Sequence, residues 1–304
     1  MSIKKIKSKK IKSKKIDKII IDELKNKTIL ITGGAGSLGS ALTKKLLEYP
    51  IKSVRVFDIN EHALFSLKRS VTDSRLRLLL GSILDKDRIE MAGSGVDIIF
   101  HTAAIKNIEI SEFNPIETVG VNINGTIDLI KMCMKDKPLK FINISTDKAV
   151  EPSTLYGTTK QLGELLTSWA GEHLYDVTKF ATIRLGNIVE SNGNVFETWN
   201  YEKKMNKPLS VTHSEMERYF FSMDETMDFI LECIPHVKSG EIFVPKMKSY
   251  KITDLAKKIS DKQKIIGLRQ GEKLKEVLIT NDEKKLSKEL KNMWIITPYA
   301  KNNQ

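Results

Sequence analysis

Thr28-Ile29-Leu30-Ile31-Thr32-Gly33-Gly34-Ala35-Gly36-Ser37-Leu38-Gly39 is the stretch on which the fold turns. Thr28 to Thr32 is a β-branched, apolar run that stops in glycines, and a helical pattern follows from Ser40 to Tyr49. In the order strand, glycine turn, helix, a Gly-x-x-Gly-x-x-Gly spacing lets the backbone bend sharply and approach a pyrophosphate at the helix N-terminus. Gly33, Gly36, Ser37, Leu38 and Gly39 are therefore candidates for holding a dinucleotide. The next strand, Ser53 to Phe57, ends at Asp58, nineteen residues past Gly39. A carboxylate there accepts hydrogen bonds from a ribose 2′-hydroxyl and repels a 2′-phosphate, which argues for NAD over NADP.

The pattern repeats downstream. Strands are expected over Arg75 to Gly81, Val96 to His101, Leu139 to Ser145 and Thr178 to Leu185, with helices over roughly Pro115 to Lys135 and Tyr156 to His173. Apolar strands alternating with helices predict an α/β fold, a doubly wound parallel sheet covered on both faces. Ligands in such sheets bind beyond the carboxyl ends of the strands. Gly33, Asp58, Ala103 and Ser145-Thr146 all fall at strand ends. From about Asn187 the alternation fails, and Pro and Gly punctuate shorter segments. That change predicts a dinucleotide-binding domain over 26–186 and a smaller substrate-binding domain over 187–304.

The fifth strand ends in Ser145-Thr146-Asp147-Lys148, and the helix after it opens with Tyr156-Gly157-Thr158-Thr159-Lys160. A Tyr and a Lys four positions apart share one helix face. A phenol titrates near ~10 in water, and a neighbouring cation favours its phenolate. It could then take a proton from a substrate hydroxyl near neutral pH. The same spacing recurs at Tyr175/Lys179, where it crosses an expected helix end. Position, not pattern, selects Tyr156 and Lys160. Arg218 and Arg269 carry the planar, forked donor suited to phosphate, although a surface ion pair fits each equally well.

With 304 residues the chain can bury a sizeable core. Its formal charge of +12 invites a nucleic-acid reading, but nine lysines stand in the first 20 residues against Asp17 alone. That segment carries a net +8, so the rest of the chain has an ordinary +4 and the nucleic-acid reading is set aside. Residues 1–25 read as a basic tail, either a solvated extension or a peripheral foothold on anionic lipid or a partner protein. No run approaches the ~20 apolar residues of a membrane span. Cys133 and Cys233 are isolated thiols that suit a reducing cytoplasm, and the five His show no zinc spacing.

Taken together, the glycine turn, Ser145-Thr146 and the Tyr156/Lys160 pair resemble the Rossmann-like extended short-chain dehydrogenases/reductases. More narrowly, Ser145-Thr146-Asp147-Lys148-Ala149, Tyr156 to Lys160, and Leu268-Arg269-Gln270-Gly271-Glu272-Lys273 resemble the UDP-N-acetylglucosamine 4,6-dehydratases of bacterial surface-polysaccharide and flagellin-sugar pathways. The resemblance covers about residues 26–279. It implies a self-contained redox cycle on a UDP-sugar, with NAD or NADP as recycled cofactor. Tyr156, helped by Lys160 and Thr146, would take the proton of the 4-hydroxyl while hydride leaves carbon 4. Lys148 would then remove the carbon 5 proton, and Asp147 would protonate the departing 6-hydroxyl. By the same resemblance Ala103 and Ala104 would border the cofactor, and Lys106, Asn187, Arg218, Arg269 and Glu272 would hold the UDP-sugar. A Tyr at position 156 without a membrane domain implies the type that inverts carbon 5, and the family implies a homo-oligomer joined through the Tyr156 helix.

The chain departs from the family at Gly81-Ser82, where Gly-Asp is usual, and at Asn107, where a His is usual. Glu190-Ser191-Asn192-Gly193-Asn194 replaces a common Ser-Arg-Gly-Ser. Two other functions remain open at this point: an epimerase or reductase of a related sugar nucleotide, and a catalytically silent dinucleotide-binding module.

Overall fold

The computed structural model describes residues 14–298 except Tyr175 and Asn192. Six strands alternate with helices as expected: β1 (Thr28–Thr32), β2 (Ser53–Asp58), β3 (Leu76–Leu80), β4 (Ile98–His101), β5 (Lys140–Thr146) and β6 (Lys179–Leu185). They pair in parallel in the order β3-β2-β1-β4-β5-β6. The order reverses between β1 and β4, which opens a crevice at the carboxyl ends of those two strands.

Side-chain alternation explains why both faces are covered. Ile29, Ile31, Ile98, Phe100, Ile142, Ile144 and Ile183 enter one buried cluster, while Leu30, Ile99, Phe141 and Phe180 enter the cluster on the opposite face. Consecutive residues of one strand thus feed two cores, and only helices on each side can bury both.

The remaining strands are β7 (Asn187–Ile188), β8 (Leu209–Val211), β9 (Glu217–Phe221), β10 (Glu241–Pro245), β11 (Ser249–Lys251), β12 (Gln263–Ile265), β13 (Ser287–Glu289) and β14 (Met293–Ile296). They divide between the large sheet and a smaller unit. β10 adds to the large sheet parallel to β6, and β14 and β13 follow it antiparallel, giving nine strands. The helix Met223–Cys233 also places Phe229 and Ile230 in the large core. The smaller unit is what remains, two short sheets (β11-β9-β7 and β12-β8) around Phe196, Trp199, Leu209, Val211, Phe220 and Leu255. The chain crosses into the small unit, returns to the large sheet, and crosses again.

The tail is corrected. Residues 1–13 lie outside the described residues, and the expected peripheral contact falls mainly on them. Lys14–Leu24, however, is a docked helix whose Ile20 and Leu24 are both 0% exposed. The Lys140 ammonium donates to Glu23 Oε2 at 2.7 Å and to the Ile234 carbonyl at 2.8 Å, fastening the helix beside the start of β5. Among the described residues no helix is long and apolar enough to cross a membrane. Replacing Leu24 with Ala should leave a cavity and lower stability by about 2–5 kcal/mol in chemical denaturation. An unchanged midpoint would show that this helix is not part of the core.

Candidate active site

A cleft of about 1520 Å³ runs along the carboxyl ends of the parallel strands and is closed on its far side by the small unit. Gly33, Gly36, Ser37, Leu38, Gly39, Asp58, Ala103 and Ala104 line one end. Gly33 has a φ of +65°, and a Cβ on it would fall 2.6 Å from the backbone N and Cα of Ala103. Glycine is required there because the ends of β1 and β4 touch. Helices beginning after Asn60, Asp85, Asn107 and Thr154 are each capped by that side chain, but the helix Ser37–Leu46 starts at Gly36 with no side-chain cap. Its uncapped N-terminus, opening on the cleft, is a donor set suited to a pyrophosphate. Asp58 braces this turn: Oδ2 accepts from Ala35 N and Oδ1 from Asn60 N, both at 2.9 Å. The residues present fit a dinucleotide.

The expected helix over 115–135 is broken by a π-helical turn, Gly120–Asn124. Such turns re-aim side chains at functional sites. Here the turn presents Asn122, whose Oδ1 accepts from Ile105 N at 2.8 Å and whose Nδ2 donates to Thr159 Oγ1 at 3.0 Å. The Ala103–Ile105 strand end is thereby tied to the helix Leu155–His173. His101 is buried between the hydroxyls of Thr32 and Thr126, and burial together with Lys160 pulls it down to about 3. It is a neutral strut, not an acid or base. Asn107, where the family usually has His, caps the helix Ile108–Phe113 by accepting from Ile110 N at 2.9 Å.

At the centre, Thr146, Lys148, Tyr156 and Lys160 line the cleft, and Asp147 does not. Asp147 is 0% exposed and sits behind Lys148, its Oδ1 3.0 Å from both Lys148 Nζ and Thr146 Oγ1. A hydroxyl at the end of β5 and an amine one turn on therefore face the cleft, backed by a buried carboxylate. Burial pulls Lys160 down to about 8, opposed by Glu164 one turn further along the helix. The expected effect on the phenol is corrected: burial raises Tyr156 above its usual value, and the groups that oppose this are Lys148 and the Thr146 hydroxyl. Lys160 is not among them. Lys148 behaves oppositely to Lys160, because Asp147, Glu276 and Tyr156 outweigh the effect of burial and hold it up as an ammonium.

The remaining candidates line the other end. Lys106 and Asn187 border the cleft, and Asn187 Nδ2 donates to the Tyr219 carbonyl at 3.0 Å. Arg218 is 8% exposed and spends Nη1 on the carbonyls of Glu217 and Leu274. Arg269 reaches Glu109 at 3.4 Å across the cleft mouth, and its N–H donates to Glu272 Oε2 at 3.0 Å. The cleft thus gathers every expected site residue except Asp147, and Tyr175 of the competing Tyr/Lys pair lies outside the described residues.

Sequence reasoning missed a buried network under this site. Arg184 of β6 forks onto Glu164 (3.1 and 2.7 Å), reaches Glu283 at 2.8 Å and donates to the Leu278 carbonyl at 2.9 Å. It also missed Glu276, which lines the cleft at 8% exposure. The scarcity of arginine in the second half was the one available pointer to Arg184. Glu276, in a Lys-Glu-Val-Leu context, carried no such sign.

A family model described as polysaccharide biosynthesis protein matches residues 29–298. The chain is 40% identical over 300 residues to an uncharacterized membrane protein of Methanocaldococcus jannaschii, covering 92% of this chain and 90% of that one. It is 36% identical over 283 residues to a UDP-N-acetylglucosamine 4,6-dehydratase (inverting) of Campylobacter jejuni, covering 90% and 84%. Identity to a UDP-glucose 4-epimerase of Rickettsia bellii is 33% over 282 residues, covering 89% and 83%. The X-ray structure of Pen from Bacillus thuringiensis matches with a TM-score of 0.87 at 32% identity, covering 91% of this chain and 89% of that one.

Arg184→Met would strand two carboxylates that now share one guanidinium. A loss of about 3–5 kcal/mol is expected in denaturant unfolding, with faster amide hydrogen exchange around Leu278. Parent-like stability would mean that the network carries no weight.

Proposed function

The chain belongs to the polysaccharide biosynthesis protein family, and from that membership and the cleft we propose that it is a UDP-N-acetylglucosamine 4,6-dehydratase inverting at carbon 5. The observation that carries this reading is the pairing at the tip of β5, where Lys148 lines the cleft with Tyr156 and holds Asp147 at 3.0 Å. An epimerase acting at carbon 4 needs one proton acceptor there and no second acid/base group for carbons 5 and 6. A silent binding module would need none of them.

In this reading Tyr156 takes the 4-hydroxyl proton, with the Thr146 hydroxyl beside it and the Lys160 ammonium one turn away. A nicotinamide cofactor, held by Gly33, Gly36 to Gly39 and Asp58, would supply hydride acceptance and return, and the charge of its oxidised ring would favour the Tyr156 phenolate. The new ketone acidifies carbon 5, and Lys148, once neutral, removes that proton. Asp147 lies behind Lys148, so its proton reaches the departing 6-hydroxyl by way of the amine. Two protons leave the sugar, from oxygen 4 and carbon 5, and two return, to the departing oxygen and to carbon 5 from the opposite face. Lys106, Asn187, Arg218, Arg269 and Glu272 hold the UDP-sugar, the last four its UDP portion.

Asp58 supports NAD as the cofactor, since a 2′-phosphate would meet a carboxylate. The outer face of the helix Leu155–His173 leaves Leu162, Leu165 and Trp169 exposed (42%, 62% and 49%), which supports the homo-oligomer expected through it. Cys133 and Cys233 are free and buried, which suits the cytoplasm.

The purified protein, incubated with UDP-N-acetylglucosamine in deuterated water without added cofactor, should yield a 4-keto-6-deoxy sugar carrying deuterium at carbon 5. Unchanged sugar would refute the dehydratase reading, and Lys148→Ala turning over at the parent rate would remove Lys148 as the base. Asp58→Ala should weaken NAD binding by about tenfold, the worth of one charge-assisted hydrogen bond, and narrow its advantage over NADP. A titration in which the NAD/NADP ratio stays constant would count against the cofactor assignment.

A further inference from the structure

Glu276 belongs to neither motif that points to this chemistry, yet its side chain stands at the reacting end of the cleft. It lies in a stretch pinned on both sides. Lys273 donates to the Val150 carbonyl at 2.9 Å, Lys275 pairs with Glu217 at 2.8 Å, and Arg184 holds the Leu278 carbonyl at 2.9 Å. Between these ties the Glu276 carboxylate is aimed at Lys148, Oε1 to Nζ 4.0 Å, with 6% of its side chain exposed. Its second oxygen is buried without a hydrogen-bond partner, and so is Oδ2 of Asp147. Two buried carboxylates, each with an unsatisfied oxygen, thus share one amine.

We propose that Glu276 is a positioning residue of the acid–base group, completing with Asp147 a two-carboxylate clamp that sets the charge and aim of Lys148. Asp147 holds the amine at 3.0 Å from behind, and Glu276 faces it at 4.0 Å across the cleft wall. Tyr156 is the third titratable group acting on that amine, from the helix Leu155–His173. An ammonium cannot take a proton from carbon 5. Glu276 thereby keeps the resting group in its charged form, and its effect must be overcome before Lys148 serves as a base. The functional part of this inference rests on the dehydratase reading; the clamp itself does not.

The test is Glu276→Gln in the full chain, which removes the charge and keeps the shape. Lysine labelled with ¹³C at Cε, with the Lys148 signal assigned by its loss in Lys148→Arg, reports the titration directly. An opposite charge removed from about 4 Å should lower the Lys148 midpoint by about one pH unit or more. The rising limb of carbon 5 deuterium exchange should move to lower pH by the same amount, a shift that a merely structural residue would not produce. Glu276→Asp, which withdraws the carboxylate by one methylene, should shift both in the same direction by less, and it stands in if the Gln variant does not fold. A Lys148 midpoint equal to the parent's in the folded variants overturns the proposal. A shifted midpoint with no exchange in any variant, parent included, leaves the clamp intact and defeats the dehydratase reading.

Discussion

The close approach of β1 to β4 at Gly33 is the constraint from which the site follows. With only 2.6 Å available to a Cβ at that point, the ends of the two strands can meet only if one of them carries no side chain. Their contact sets where the strand order reverses and hence where the crevice opens. It also leaves the helix Ser37–Leu46 beginning at the crevice with no side chain capping it. Asp58 and Asn122 then fix the two walls, one by bracing the glycine turn and the other by tying Ile105, beyond the end of β4, to the helix Leu155–His173. None of these contacts is apolar, but all depend on the two buried faces that hold the strands in register.

The electrostatics of the centre come from two buried lysines in unlike surroundings. Lys160 has one carboxylate near it, Glu164, which is itself engaged by Arg184, so burial prevails and the amine is pulled down. Lys148 is faced by Asp147 and Glu276, which outweigh burial. Residue type therefore did not decide protonation; the number of uncommitted carboxylates did. Burial likewise holds the phenol of Tyr156 above its ordinary value, since it outweighs the opposing Lys148 ammonium and Thr146 hydroxyl.

Much of this was legible in the sequence where the signal is local. Gly33, Gly36 to Gly39, Asp58 and the Tyr156/Lys160 pair are each defined by spacing along one strand–turn–helix unit, and all line the cleft. The large sheet was legible for its first six strands because each is rich in apolar residues and alternates with a helix. It was not legible beyond them. β10, β13 and β14 stand in a stretch without the regular strand–helix alternation, and pairing onto the far edge of β6 is what gives them a place, so a boundary at 187 looked natural. The docked helix Lys14–Leu24 was concealed by lysines that dominate composition, although Ile20 and Leu24 fall on one helix face. Glu276 and Arg184 gain their meaning from partners far away in the chain, Lys148 for one and Glu164 for the other. No spacing rule could have joined them.

The docking of Lys14–Leu24 also fixes an orientation. Its anchors, Glu23 on Lys140 and the entry into β1 at Thr28, sit where the parallel strands begin, at the pole opposite the one where they end. The cleft lies at the far pole. Anything that grasps the protein by this helix would therefore hold it by its base, with the cleft turned away from the point of attachment.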